Sequence, residues 1–146
     1  IGASFGLVQL KKLPKNISLR KKNFNLHLKF FAKYNEIFLL PKEEELADTC
    51  WLAFPVILKE NINFTRKQMM SFLENKGIQT RVIFTGNILR QPGFKHLNIS
   101  KKLKFTQADY IMKNGILIGL HHGLQIKDIE FIHKVIENFL KKKKSI

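Results

Sequence analysis

From Ile126 to Leu140 the apolar residues Ile126, Ile129, Ile132, Val135, Ile136, Phe139 and Leu140 recur at three- and four-residue steps, with Lys127, Asp128, Glu130, Lys134 and Glu137 between them. At 3.6 residues per turn that pattern places the apolar side chains on one side of a helix and the charges on the other. A stripe this long has to be covered. Three upstream runs have the length and the branched or aromatic content of strands: Trp51 to Leu58, Ile78 to Phe84 and Ile116 to Leu120. A helix packed on a small sheet follows, and the helix ends in Lys141-Lys142-Lys143-Lys144, which suits its negative end and reads as a frayed, solubilising tail.

The rest of the chain fits that plan. Residues Ser4 to Tyr34 read as a long basic helix with Val8, Leu13, Ile17, Phe24, Leu28 and Phe31 as its apolar positions, kinked or split near Pro14 because proline lacks the N–H and crowds the preceding turn. Asn35 to Asp48, with its acidic Glu43-Glu44-Glu45, reads as a loop. Pro55 inside the first strand implies an edge or a bulge. Phe64-Thr65-Arg66-Lys67-Gln68-Met69 carries a capping box, Thr65 as N-cap and Gln68 three residues on, with Phe64 able to staple onto Met69 and Gly77 as a stop. A further helix through Asp109, Tyr110, Ile111 and Met112 ends at Asn114-Gly115. The fold class is therefore α+β: an antiparallel or mixed sheet of about three strands, helices on one face, and a long leading helix.

Composition narrows the function classes. At 146 residues the chain holds one domain, and 45% hydrophobic residues with 13 Phe give it a core. No apolar run approaches the roughly 20 residues that cross a bilayer. Cys50 is the single cysteine, so a disulfide framework and an all-cysteine metal site are excluded. His121 and His122 point to opposite sides of an extended chain and His96 is not at ligand spacing, so no metal site is expected. The formal charge of +15 attracts polyanions, yet Lys is spread over every exposed face, and half of this basicity carries no specific meaning. The chain starts at Ile1 without a signal-peptide pattern, which reads as a piece of something larger and of cytoplasmic origin.

The stretch best suited to function is Arg81-Val82-Ile83-Phe84-Thr85-Gly86-Asn87-Ile88-Leu89-Arg90-Gln91-Pro92. A strand breaks through Gly86-Asn87 into a turn that presents a guanidinium, an amide and backbone N–H groups, donors suited to phosphate, carboxylate or sugar hydroxyls. The same spacing also describes a plain connector with a solvated Arg.

Several segments taken together, Gly6 to Leu13, Gly77-Ile78-Gln79-Thr80-Arg81, Gln91-Pro92 and Gly119 to Leu124, resemble the C-terminal part of the DegT/DnrJ/EryC1/StrS sugar aminotransferase family. Within that family the Phe84-Thr85-Gly86-Asn87 and Arg90-Gln91-Pro92 frame resembles the branch of CDP-4-keto-6-deoxyglucose 3-dehydrases of lipopolysaccharide biosynthesis. His122 departs from it where a Pro is expected.

The resemblance implies the small C-terminal domain of the aspartate-aminotransferase fold, with residues 1–34 as a connecting helix, 35–146 as the domain, and the large cofactor-binding domain outside this chain. It implies pyridoxamine or pyridoxal phosphate (PMP or PLP) in the intact parent, with the catalytic Lys or His elsewhere and no tight cofactor binding by this segment. It makes Asn87 and Arg90 the leading substrate contacts, then Arg81, with Thr85 and Gly86 beside them. The implied partners are the large domain, a nucleotide-linked keto sugar, CDP-linked in this branch, and a second copy in a homodimer. An aminotransferase of the same family is the alternative within the resemblance; two rival expectations outside it are an inactive folded remnant and a basic nucleic-acid-binding domain. Against the latter stands the absence of any ribonucleoprotein, KH or helix-turn-helix signature.

Overall fold

The computed structural model describes residues 2–94, His96 and residues 103–144. Its elements run α1 (Gly2–Phe31), β1 (Phe38–Leu39), β2 (Ala53–Leu58), α2 (Arg66–Glu74), β3 (Thr80–Val82), α3 (Thr106–Asn114), β4 (Gly115–Gly119) and α4 (Ile126–Lys144). Ile1 and residues 95, 97–102, 145 and 146 of the two expected segments lie outside the described residues.

The strands form one antiparallel sheet in the order β1-β2-β4-β3. Alternation along β2 sends Phe54, Val56 and Leu58 to one face, where they are essentially without solvent contact, and leaves Ala53, Pro55 and Ile57 half-buried on the other. Ile116 and Ile118 of β4 join the covered face, where α1, α2 and α4 pack. Phe31 stacks on Phe54 at 5.3 Å, and Phe64 meets Phe139 edge-on at 4.9 Å. The antiparallel sheet with a helical layer agrees with the expected α+β class. The stripe on α4 is buried as spaced, except for Ile126 in its first turn, which is half exposed.

Four details differ from expectation. The loop from Asn35 to Asp48 contains β1, a strand too short to leave a periodic trace, which pairs Phe38 with Leu58 and Leu39 with Ile57. That pairing explains Pro55. β2 lies inside the sheet, but β1 reaches only Ile57 and Leu58, so opposite Pro55 there is a neighbour on the β4 side alone.

Next, α1 runs unbroken through Pro14. The missing N–H removes one bond of the ladder while the turns on either side keep theirs. Third, Val8 and Leu13 do not reach the core. Phe5, Leu7, Val8, Leu10 and Leu13 are all about half exposed or more, and burial begins at Asn23 and Phe24. A 30-residue helix is about 45 Å long and a six-residue strand about 20 Å, so the sheet covers only one end of the helix.

Finally, the lysine tail is helical to Lys144. Asn63 donates to the Lys143 carbonyl, and the ammonium groups of Lys142 and Lys143 lie 5.6 and 5.9 Å from the rings of Phe72 and Phe139. These cation–π contacts and the Asn63 bond hold a segment that charge repulsion alone would fray.

The capping box forms in full: Thr65 Oγ1 accepts from the Gln68 N–H at 3.3 Å, and the Thr65 N–H donates to Gln68 Oε1 at 2.8 Å. Thr65→Ala is expected to lower stability by about 1 kcal/mol, read as an earlier urea midpoint with an unchanged slope.

Candidate functional site

The face of the sheet turned away from α1, α2 and α4 carries the site. Arg81 of β3 and Pro55 of β2 each pair with Leu117 of β4 between them, so all three share this uncovered face, and Ala53 adds to it. With Trp51, Ile83 and Phe84 they line an apolar cavity of about 690 Å³, within the range of small-ligand pockets. Arg81 is exposed and makes no ion pair among the described residues. Trp51 is fixed from behind by Phe24, the rings 5.3 Å apart and 12° from parallel.

The loop after β3 forms one rim. Phe84 is 85% exposed with φ +46°, a left-handed conformation that a bulky side chain adopts only under constraint. The constraint lies on both sides of it. Gly86 donates to the Ile83 carbonyl at 3.2 Å, and Gln91 Nε2 donates to the Thr85 carbonyl at 2.7 Å. Gly86 itself has φ +65° and lies against Met112 of α3, so close that an added Cβ would stand 2.9 Å from Met112 Cα.

Asn87 and Arg90 are joined through one acid. Asn87 is buried; its Nδ2 donates to Asp109 Oδ1 at 2.8 Å, and its Oδ1 accepts from the Leu89 N–H at 3.1 Å. Arg90 donates from Nε to Asp109 Oδ1 at 2.9 Å and from Nη2 to Oδ2 at 2.8 Å. This two-pronged pairing, followed by the Asn87 bond, holds the Asp109 carboxyl down at about 2, while the same contact raises Arg90. The Asn87 amide thus has its oxygen and nitrogen engaged within the protein, and Arg90 gives Nε and Nη2 to a carboxylate.

Of the five sequence candidates, the fold brings Thr85, Gly86, Asn87 and Arg90 into one braced turn. It leaves Arg81 on the cavity wall with no ion pair among the described residues. Three residues were missed. Asp109 lies 19 and 22 residues from its partners, beyond any local motif. Phe84 and Trp51 read as strand residues because an exposed aromatic and a buried one look alike in sequence. Of the adjacent histidines, both exposed, His121 closes its own turn, its Nδ1 accepting from the Gly123 N–H at 3.1 Å. No group of three or more potential metal ligands occurs among the described residues, and no helix there is long and apolar enough to cross a membrane.

Known proteins share this architecture. The chain is 31% identical over 137 residues to the lipopolysaccharide biosynthesis protein RfbH of Salmonella typhimurium, a match spanning 94% of this chain and 31% of that protein. It is 34% identical over 133 residues to a GDP-4-keto-6-deoxy-D-mannose 3-dehydratase of Yersinia pseudotuberculosis, covering 88% and 33% of the two chains. A solved structure of the E. coli GDP-4-keto-6-deoxy-D-mannose-3-dehydratase with bound hydrated PLP superimposes with a TM-score of 0.74 at 32% identity, over 89% of this chain and 33% of that one. The chain thus spans about a third of the length of the relatives it matches. Residues 1–137 match the DegT/DnrJ/EryC1/StrS aminotransferase family as a whole, and with the sheet and loop described above the chain belongs to that family.

Proposed function

We propose that this chain is the small-domain portion of a PLP- or PMP-dependent enzyme that removes the 3-hydroxyl of a nucleotide-linked 4-keto-6-deoxyhexose, and that it supplies one wall of the sugar-nucleotide site. The observation that carries the reading is the uncovered sheet face with its single unpaired guanidinium, rimmed by a braced loop. It is supported by the 3-dehydratase names of relatives above 30% identity. Those names carry GDP where the sequence resemblance implies CDP. An aminotransferase of the same family is the alternative.

The cofactor is not held by these residues alone. Among the described residues the cavity lining offers no Lys amine for an imine and no carboxylate to pair with a pyridinium nitrogen. The large domain outside this chain is assigned those groups and the electron-withdrawing chemistry that the cofactor supplies when bound. This chain's own residues bind and orient. Arg81 offers a forked donor to phosphate or sugar oxygens, while Leu117, Pro55 and Ile83 form a floor that excludes water and strengthens that contact. Phe84 presents a ring face for stacking. Asn87 and Arg90 act through Asp109 as positioning residues, keeping the turn in the geometry that displays Phe84.

The test uses the protein expressed from its complete reading frame, with CDP-, GDP- and dTDP-linked 4-keto-6-deoxyhexoses. Arg81→Ala is expected to weaken binding of the preferred sugar nucleotide at least about tenfold, roughly 1.4 kcal/mol, at unchanged melting temperature. Asn87→Ala and Arg90→Ala are expected to lower kcat/KM together with the melting temperature. Unchanged affinity and turnover in all three variants would sink the assignment. A salt-sensitive affinity for oligonucleotides exceeding that for every sugar nucleotide would instead favour a nucleic-acid-binding domain.

A further inference from the structure

We propose that a second cavity, of about 540 Å³ between the end of β2, the first turn of α2 and the last turn of α3, binds an oligophosphate anion. Lys59 just past β2, Lys67 of α2 and Lys113 of α3 line it, and none forms an ion pair among the described residues. Glu60 is the one carboxylate in the lining. Like charges gathered around a concave surface repel one another, and a multivalent anion removes that repulsion while gaining several charge-assisted hydrogen bonds at once.

The cavity walls are fixed independently of any ligand. The Tyr110 hydroxyl donates to the Leu58 carbonyl at 2.9 Å, so its ring stands as a rigid side wall beside Phe64, which is buried. Arg66 donates to the Met112 carbonyl and ties α2 to α3. The three lysines are the lining cations with no partner among the described residues, beside the neutral donors Asn61 and Asn114. Lysine suits phosphate as a compact point charge, and three of them match the charge of pyrophosphate or of a nucleoside diphosphate.

This site is distinct from the sheet-face cavity. The two lie at opposite ends of β2, about 17 Å apart along a six-residue strand. Between them runs α3, whose Asp109 and Met112 meet the substrate-side loop and whose Tyr110 and Lys113 line this cavity.

Calorimetric titration of the protein from its complete reading frame, carrying Arg81→Ala to silence the sheet-face guanidinium, tests the proposal with pyrophosphate and with ADP as probes. The triple variant Lys59→Gln/Lys67→Gln/Lys113→Gln is expected to bind pyrophosphate at least tenfold more weakly. The control triple Lys76→Gln/Lys127→Gln/Lys134→Gln, which removes the same charge from exposed positions elsewhere, is expected to change it less than twofold. Equal affinities for both probes mean that phosphates alone are read; tighter ADP binding means that the Tyr110 wall also holds the nucleoside. Either ordering supports the site. Absence of saturable binding, or equal losses in the two triples, overturns it.

Discussion

Gly86→Ala is expected to destabilise the protein by about 3 kcal/mol, far more than a loop substitution ordinarily does. Two costs add. The residue sits at φ +65°, where a β-carbon costs about 1–2 kcal/mol. The new carbon also has nowhere to go, because Met112 of α3 occupies its position, and overpacking of that kind costs a further 1–3 kcal/mol. Gly77 is the control. It has φ +77° with open space around it, so Gly77→Ala carries the backbone cost alone, about 1 kcal/mol. Urea midpoints of the two variants measure the difference. Equal shifts would show that Met112 yields freely and that the close approach of loop to helix has no energetic weight. Because Asn87 follows Gly86 directly, the same substitution is expected to pull its amide away from Asp109 and so to loosen the rim of the proposed sugar-nucleotide site.

Acid is expected to destabilise the protein well before its carboxylates titrate, because of a histidine pair buried between α1 and α4. His27 Nδ1 lies 3.0 Å from His133 Nε2, and His133 stacks on Phe30 with ring centroids 3.9 Å apart. His27 is fully buried, and its Nε2 has no hydrogen-bond partner among the described residues. One ring donates and the other accepts, so the pair suits two neutral imidazoles and resists a second proton. Burial pushes His27 down to about 4; burial, and then the proximity of His27 and Lys33, pushes His133 down to about 3. Tyr34, in the turn just after α1, donates to Glu137 of α4 at 3.3 Å.

A base whose folded pKa is depressed binds more protons when unfolded. The stability it contributes is complete above about pH 6.5 and is lost as the pH falls towards the folded value. For His27 alone the loss between pH 7 and 4 is roughly 3 kcal/mol. Urea midpoints across that interval check the trend, and the double variant His27→Gln/His133→Gln should give a flatter profile. Proton NMR of the imidazole resonances provides a reading that does not depend on the variant folding. Either ring titrating near its ordinary value of 6.5 would contradict the buried neutral pair.

How far the sequence reached can be judged from particular residues. Local signals were read correctly because they are set by neighbours in the chain. The Thr65–Gln68 box, the Gly77 stop and the stripe from Ile129 to Leu140 depend on side chains three or four positions apart, the distance over which a helix makes contact with itself. The exposed start of α1 was misjudged, since Val8 and Leu13 carry the spacing of a buried face with nothing in the described chain to bury them. The two-residue β1 owes its existence to the edge of β2 and has no pattern of its own.

The site divides along the same line. The sequence by itself determined that a strand carrying Arg81 would break at Gly86-Asn87 and release a polar turn, because glycine supplies the positive φ and Pro92 forbids regular continuation. Which of those donors remains available was decided only by the tertiary structure. Asp109, brought from α3, engages Arg90 and Asn87; Leu117 and Pro55, brought alongside by strand pairing, set Arg81 over an apolar floor with no ion pair among the described residues. The physical reason is that a hydrogen bond or an ion pair is settled by distances of about 3 Å in space, and residues 19 to 36 positions apart reach such distances only once the sheet has formed and α3 has packed against it.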